Sequence, residues 1–343
     1  MSGSYSAALG RLKVLILKPS SLGDVIHALP ALRVLKRQYP HAEVHWWVEE
    51  GFAALLEGDP DLSKIYIFHR RNWRTFAGAL GELSLAWELR NEEYDWVIDL
   101  QGLARSAWFG WLVRGKMTIG LDSGREGARA FYDVSVCRNA PETHAVDWCL
   151  DVVRVMGVAN DMDYEWMPKS TCSHSPLLDS QSKWIAFCPG ARWPNKCWPP
   201  DHFSRLATNL CLRDNHLRIA ILGTSEDAGL GRIISGAAPN ACLDLTGKTS
   251  LAEMIECMRS TRVVVANDSG PLHVAVALNR PLVALYGPTH AGHTGPYRKP
   301  DTVMRATLAC APCQVSNCGN QIERECLRAI PPDVVADAVR KIL

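Results

Sequence analysis

Val263-Val264-Val265-Ala266-Asn267-Asp268-Ser269-Gly270-Pro271-Leu272-His273-Val274-Ala275 reads as a buried strand that hands the chain to a helix. The β-branched run has the character of a strand covered on both faces, and it stops at Asn267-Asp268-Ser269, residue types that cap helices. Pro271 suits a first helical turn, where its missing N–H costs nothing. Open backbone N–H groups and the positive end of the helix dipole at such a start favour an anion. An ordinary, well-capped strand-to-helix turn has the same pattern, so this stretch alone leaves both readings open.

A second junction of the same kind lies near the N-terminus. Lys13-Val14-Leu15-Ile16-Leu17 is followed by Lys18-Pro19-Ser20-Ser21-Leu22-Gly23-Asp24 and an apolar helical pattern from 25 to 35. Asp24 therefore follows the carboxyl end of a first strand, where open α/β sheets bind ligands, although an Asp there also suits a helix cap. Strand-like runs at 14–17, 44–48, 64–68, 96–100 and 118–121 alternate with helical patterns. The alternation repeats at 184–188, 218–222, 242–245, 262–266 and 281–286. Two parallel sheets clothed by helices follow, an α/β chain of two Rossmann-like domains. Residues 162–181 carry Pro168 and many polar residues without periodicity, which marks a linker.

Composition narrows the class. The chain has 343 residues, enough for two cores, with 47% hydrophobic and 21% charged residues, as in a globular protein. A net charge of +1 gives no overall pull toward nucleic acid. Met1-Ser2-Gly3-Ser4-Tyr5-Ser6 lacks the basic start of a secretory signal, and the sequence holds no run of about 18 apolar residues, so a cytoplasmic protein is expected. No Gly-x-Gly-x-x-Gly follows the first strand and no Walker A pattern occurs, which disfavours nicotinamide chemistry and nucleoside-triphosphate hydrolysis.

Ser20-Ser21-Leu22-Gly23-Asp24-Val25, Trp47-Val48-Glu49-Glu50-Gly51-Phe52, Asp99-Leu100-Gln101-Gly102-Leu103, Lys196-Cys197-Trp198-Pro199, Asn267-Asp268-Ser269-Gly270-Pro271-Leu272-His273 and Tyr286-Gly287-Pro288-Thr289 occur in this order. The series resembles the motifs of the ADP-heptose:lipopolysaccharide heptosyltransferases, glycosyltransferase family 9, from about residue 13 to the C-terminus. The resemblance implies a GT-B fold, with parallel sheets facing a central cleft. It implies an acceptor domain over 1–165, a linker at 166–182 and a nucleotide-sugar domain over 183–343 that ends in a cysteine-rich loop and a helix. It further implies inverting transfer of heptose from ADP-heptose to the lipid A-linked inner core of lipopolysaccharide. Peripheral association with the inner leaflet follows from that substrate.

Site residues follow from the same resemblance. Asp24 is the expected general base, in a loop whose Ser21 and Gly23 face the acceptor. Lys196 matches the family's phosphate-binding lysine. Ser269 and Gly270 would donate to the diphosphate, and His273, one turn into the helix, would also contact the donor. Asp268 would repel a diphosphate unless it binds Lys196, backbone N–H groups or ribose. By analogy of fold, Glu226 or Asp227 after the 218–222 strand would hold the ribose. Arg71 and Arg125 match basic acceptor positions, and guanidinium groups suit the carboxylates and phosphates of that ligand. Tryptophans are frequent, 12 in all, and Trp73, Trp108 and Trp111 suit either a lipid interface or a core.

Cys310, Cys313, Cys318 and Cys326 form a C-x₂-C-x₄-C-x₇-C pattern. Four thiolates at this spacing could close a structural zinc or iron site, or remain reduced thiols. No cofactor is expected for catalysis itself. Two other readings stay open from sequence: a GT-B transferase or epimerase for another nucleotide sugar, and a metal-binding scaffold with a vestigial donor site.

Overall fold

A computed structural model describes residues 12–70, 76–159, 166–168, 175, 177–212, 214 and 216–343. The chain separates into two units, residues 1–168 and 169–343.

In the first unit the elements run β1 (Lys13–Leu17), α1 (Leu22–Gln38), β2 (Glu43–Glu49), β3 (Lys64–Phe68), α2 (Phe76–Arg90), β4 (Trp96–Asp99), α3 (Ala104–Val113), β5 (Met117–Asp122), β6 (Val134–Cys137) and α4 (Ala145–Val155). The strands pair in parallel in the order β3-β2-β1-β4-β5-β6. Central strands are buried on both faces because helices cover both, so β1 is apolar almost throughout. Trp47 of β2 stacks on Phe109 of α3, with centroids 4.3 Å apart, in a core that also holds Leu15, Phe68 and Val97.

The second unit continues with β7 (Lys183–Cys188), α5 (Pro200–Cys211), β8 (Leu217–Ile221), α6 (Ala228–Ala237), β9 (Cys242–Asp244), α7 (Leu251–Ser260), β10 (Val263–Asn267), α8 (Gly270–Ala277), β11 (Leu282–Leu285), α9 (Ala291–Thr294), β12 (Val303–Met304), α10 (Glu325–Arg328) and α11 (Pro332–Ile342). Its sheet is parallel in the order β12-β11-β10-β7-β8-β9, the same topology read from the other edge. The valine run of β10 is fully buried at the centre. Helix α5 shows how a polar sequence still anchors: Phe203, Leu206, Ala207 and Leu210 recur at helical spacing and are its buried residues.

All ten strands expected from sequence form, in an α/β fold of two Rossmann-like units of the GT-B class. The sequence pattern missed β6 and β12, which close one edge of each sheet. Both are short and partly exposed, so neither carries the continuous apolar run that marks a central strand. The boundary between units falls inside the 166–182 stretch, but its described flanks are docked. Trp166 is buried and its carbonyl accepts from Arg33, at 2.8 Å and 2.9 Å. Ser175 N donates to Ser260 Oγ at 2.9 Å. No helix among the described residues is long and apolar enough to cross a membrane.

Candidate active site

In each unit the strand order reverses beside its first strand, between β1 and β4 and between β7 and β10. Loops leaving the carboxyl ends at such a point diverge and open a crevice. The motif residues collect at these two points.

In the second unit, Asn267 ends β10 and is fully buried. Its Nδ2 donates to the Pro189 carbonyl at 2.7 Å, and its Oδ1 accepts from Trp198 N at 3.1 Å. One amide thus ties the end of β7 to the end of the loop carrying Lys196. A 3₁₀ turn, Pro194–Lys196, sets the lysine's backbone. Lys196 Nζ then lies 2.7 Å from Asp268 Oδ2 and 4.8 Å from the Trp193 ring centroid. Asp268 Oδ2 also accepts from Thr289 Oγ1 at 2.5 Å, and Oδ1 from the Tyr286 hydroxyl at 3.1 Å. Burial, then the Asp268 charge, pushes the Tyr286 hydroxyl well above its ordinary range, so it stays a donor. Lys196 is thus one of the partners the sequence left open to Asp268.

Ser269 is the N-cap residue of α8, but its hydroxyl lies 3.3 Å from the Asn267 carbonyl and makes no cap bond. The helix starts at Gly270 without a side-chain bond from its N-cap residue, Pro271 has no N–H, and Leu272 N donates to the Ser269 carbonyl at 3.1 Å. His273 is buried. Asp227 accepts from Thr224 N at 2.8 Å and Thr224 Oγ1 at 2.9 Å. It also fills the space over Gly190, where an added Cβ would come within 2.2 Å of its carboxylate. Glu226 is exposed beside it. Asp227 is thus engaged in shaping the loop, which leaves Glu226 the more accessible carboxylate.

In the first unit, Asp24 sits in the first turn of α1. Its Oδ2 accepts from Ser21 N at 3.0 Å and Ser21 Oγ at 2.8 Å, so it caps the helix while marking the end of β1. Gly23 is buried in the same turn. Lys18 is buried, with Nζ 2.5 Å from the Leu100 carbonyl. Asp99, at the end of β4, is wholly buried. It accepts from Gln101 N at 2.8 Å, Gly102 N at 3.2 Å and the Tyr132 hydroxyl at 2.7 Å. Burial outweighs these bonds and raises its carboxyl above the usual range. Gly120 is required beneath Tyr132, since an added Cβ would lie 2.2 Å from the ring. Arg125 is exposed in the turn after β5. Arg71 and Trp73 lie outside the described residues.

Among the described residues, no three of the four thiols bring their sulfurs within 4.8 Å of one another. Among the described residues, the group of three or more His, Cys, Asp or Glu whose ligating atoms lie within 4.8 Å is Glu43, His45 and Glu92. Lys13 Nζ already occupies that cluster, bound to Glu92 and 3.5 Å from Glu43. A tetrahedral site at about 2.3 Å per sulfur needs thiols closer than this limit. Cys310 Sγ instead takes a contact from Asn320 Nδ2 at 3.2 Å, and Cys326 is buried against Gly287. Cys326 nonetheless lies near the other three: burial raises its thiol, and Cys310, Cys313 and Cys318 add to the rise.

Sequence reading left Asn195 and Asn267 without structural roles, and gave none to Tyr286 or Thr289. Tyr286 and Thr289 stood in a motif already noticed, which was the available signal. Asn195 had none.

Comparison with known proteins follows this geometry. The model of glycosyltransferase family 9 (heptosyltransferase) matches residues 82–322. Lipopolysaccharide heptosyltransferase 1 of Pseudomonas aeruginosa is 32% identical over 326 residues, covering 92% of this chain and 89% of that protein. Among solved structures, the Escherichia coli ADP-heptose lipopolysaccharide heptosyltransferase II superposes with a TM-score of 0.78 at 23% identity, covering 96% of this chain and 98% of that one. The Escherichia coli heptosyltransferase WaaC with ADP gives 0.77 at 24% identity, covering 97% and 100%.

Proposed function

Since the chain belongs to glycosyltransferase family 9, we propose that it transfers heptose from ADP-heptose to the inner core of lipopolysaccharide, with inversion at the anomeric carbon. The observation that carries this reading is the Lys196–Asp268 pair beside the uncapped start of α8, at the switch point of the second sheet. A fixed ammonium and oriented N–H groups suit a leaving diphosphate, whose charge grows as the glycosidic bond breaks. Asp268 neutralises Lys196 before the donor arrives and holds it in place. Ser269 and Gly270 supply donors at the helix start, His273 lines its first turn, and Glu226 is the carboxylate for the ribose.

Asp24 is the base that takes the proton from the attacking hydroxyl. Its bonds to Ser21 orient the carboxylate at the head of α1. Inversion requires that it act on the sugar face opposite ADP. Arg125 and Arg71 serve the acidic groups of the acceptor, with Ser21 and Gly23 shaping the loop. The reaction changes no oxidation state, so it calls for no redox cofactor.

The enzyme works in the cytoplasm, at the inner leaflet. Leu80 and Trp87, seven residues apart on α2, and Trp111 on α3 are exposed at 50%, 61% and 55%, and Arg90 lies 5.0 Å over the Trp87 ring. Apolar and aromatic groups edged by a cation suit a lipid headgroup region. Co-sedimentation with anionic vesicles, reduced in Trp87→Ala, tests this attachment.

The deciding experiment measures ADP release from ADP-heptose in the presence of lipid A carrying its ketosugar acids, against UDP-sugars with the same acceptor. Turnover with ADP-heptose alone is the expected result. Equal or better turnover with a UDP-sugar would overturn the donor assignment.

A further inference from the structure

The cysteine-rich loop is bonded to both halves of the Lys196–Asp268 site. Asn195, next to Lys196, is 2% exposed. Its backbone N donates to the Ser316 carbonyl at 3.3 Å, its Nδ2 donates to the Val315 carbonyl at 3.0 Å, and the same Nδ2 lies 3.8 Å from Cys313 Sγ. One residue further along the loop, Gln314 N donates to the Pro288 carbonyl at 2.8 Å. Pro288 precedes Thr289, whose hydroxyl holds Asp268. Segment 313–316 thus runs between the turn that carries Lys196 and the loop that carries the partner of Asp268, gripping each by hydrogen bonds. On the far side, Arg324 Nη1 bonds the Cys197 carbonyl at 3.3 Å.

We propose that Asn195 is a positioning residue for the donor site: by anchoring the Lys196 turn to segment 313–316, it sets where the ammonium meets the diphosphate. The inference rests on reading Lys196 as the diphosphate-binding lysine. Two features separate this role from simple packing. Among the described residues the buried Asn195 Oδ1 has no partner, so the side chain is an incomplete stabiliser whose made bond is the one to Val315. The turn it fixes is a single 3₁₀ turn, closed by Lys196 N to Trp193 O at 2.9 Å and Cys197 N to Pro194 O at 3.1 Å. A turn so short has few internal bonds with which to hold a long side chain in place. The loop that carries four thiols is therefore part of what shapes the donor site, although none of the sulfurs needs to touch the donor.

A double-mutant cycle tests this. ADP affinity is measured by calorimetry for the wild type, Asn195→Ala, Lys196→Ala and the double variant, with melting temperature recorded for each. Asn195→Ala is expected to weaken ADP by about fivefold and to raise the donor KM more than it lowers kcat; in the Lys196→Ala background its effect should shrink to under about twofold, because contacting residues are non-additive. If Asn195→Ala folds poorly, Asn195→Ser, which keeps a small polar group, enters the same cycle. Equal weakening in both backgrounds, or unchanged ADP affinity in a folded variant, would overturn the positioning role while leaving Lys196 in place. Unchanged ADP affinity in Lys196→Ala would overturn the diphosphate reading itself, and this inference with it.

Discussion

Lys196 Nζ and Asp268 Oδ2 stand 2.7 Å apart across the switch point of the second sheet, one delivered by the loop after β7 and the other by the end of β10. Neither position makes sense alone. A lysine without the aspartate would be a cation in a half-buried place with no counter-ion, and the aspartate without the lysine would repel the donor it is meant to help hold.

Asp268→Asn should lower stability by about 1–3 kcal/mol, less than for a fully buried pair because Lys196 keeps some solvent contact. ADP should restore part of that loss, since its diphosphate becomes the counter-ion of Lys196. The rise in melting temperature on adding ADP is therefore expected to be larger in the variant than in the wild type. A smaller rise would mean that Asp268 contributes more to binding the nucleotide than to neutralising the lysine.

Lys196→Ala should cost about 1.5–3 kcal/mol of ADP binding, the usual range for a charged hydrogen bond. Calorimetric titration with ADP reads this directly.

Asp24→Asn keeps the size of the side chain and its contact with Ser21 but removes the basicity. Turnover should fall by about 10²–10⁴-fold with ADP affinity nearly unchanged. A variant with more than about a tenth of the wild-type rate would not fit the loss of a general base.

Asn267→Ala would leave the Pro189 carbonyl and Trp198 N–H without their partner in a buried place, at about 1–3 kcal/mol for each unmet group. Both a lower urea midpoint and weaker ADP binding are expected, because the same amide holds the sheet and the Lys196 loop. Loss of stability with ADP affinity intact would confine Asn267 to the fold.

His45 makes the stability of the first unit sensitive to acid. Burial holds its imidazole below the ordinary 6.5, between the Tyr94 hydroxyl at 2.7 Å and Glu43. The unfolded chain therefore takes up a proton at this residue before the folded one does. Its contribution is present above about pH 6.5 and is lost as pH falls toward the folded value. His202 is depressed in the same direction, again by burial. Unfolding midpoints measured from pH 7.5 to 5 should fall, and more gently in His45→Gln. An equal slope in that variant would assign the acid sensitivity elsewhere.

Much of this protein is legible in the order of its residues. A parallel strand buried on both faces must be a nearly continuous apolar run, so ten of the strands can be read directly, and the polar groups at their ends mark where ligands belong. Edge strands such as Val134–Cys137 escape because half their surface meets water and the apolar run breaks. The ordered motifs likewise mark Asp24, Lys196 and Asp268 in the sequence itself. Spacing could not say that Asp268 would pair with Lys196, or that Asp227 would be engaged in capping Thr224. Nor could it show Asn195 reaching across 120 residues to Val315. Local structure follows from short-range sterics and burial patterns that each segment carries within itself. Partners are chosen when distant segments converge at the ends of the strands, and the register of two whole sheets determines which side chains arrive together.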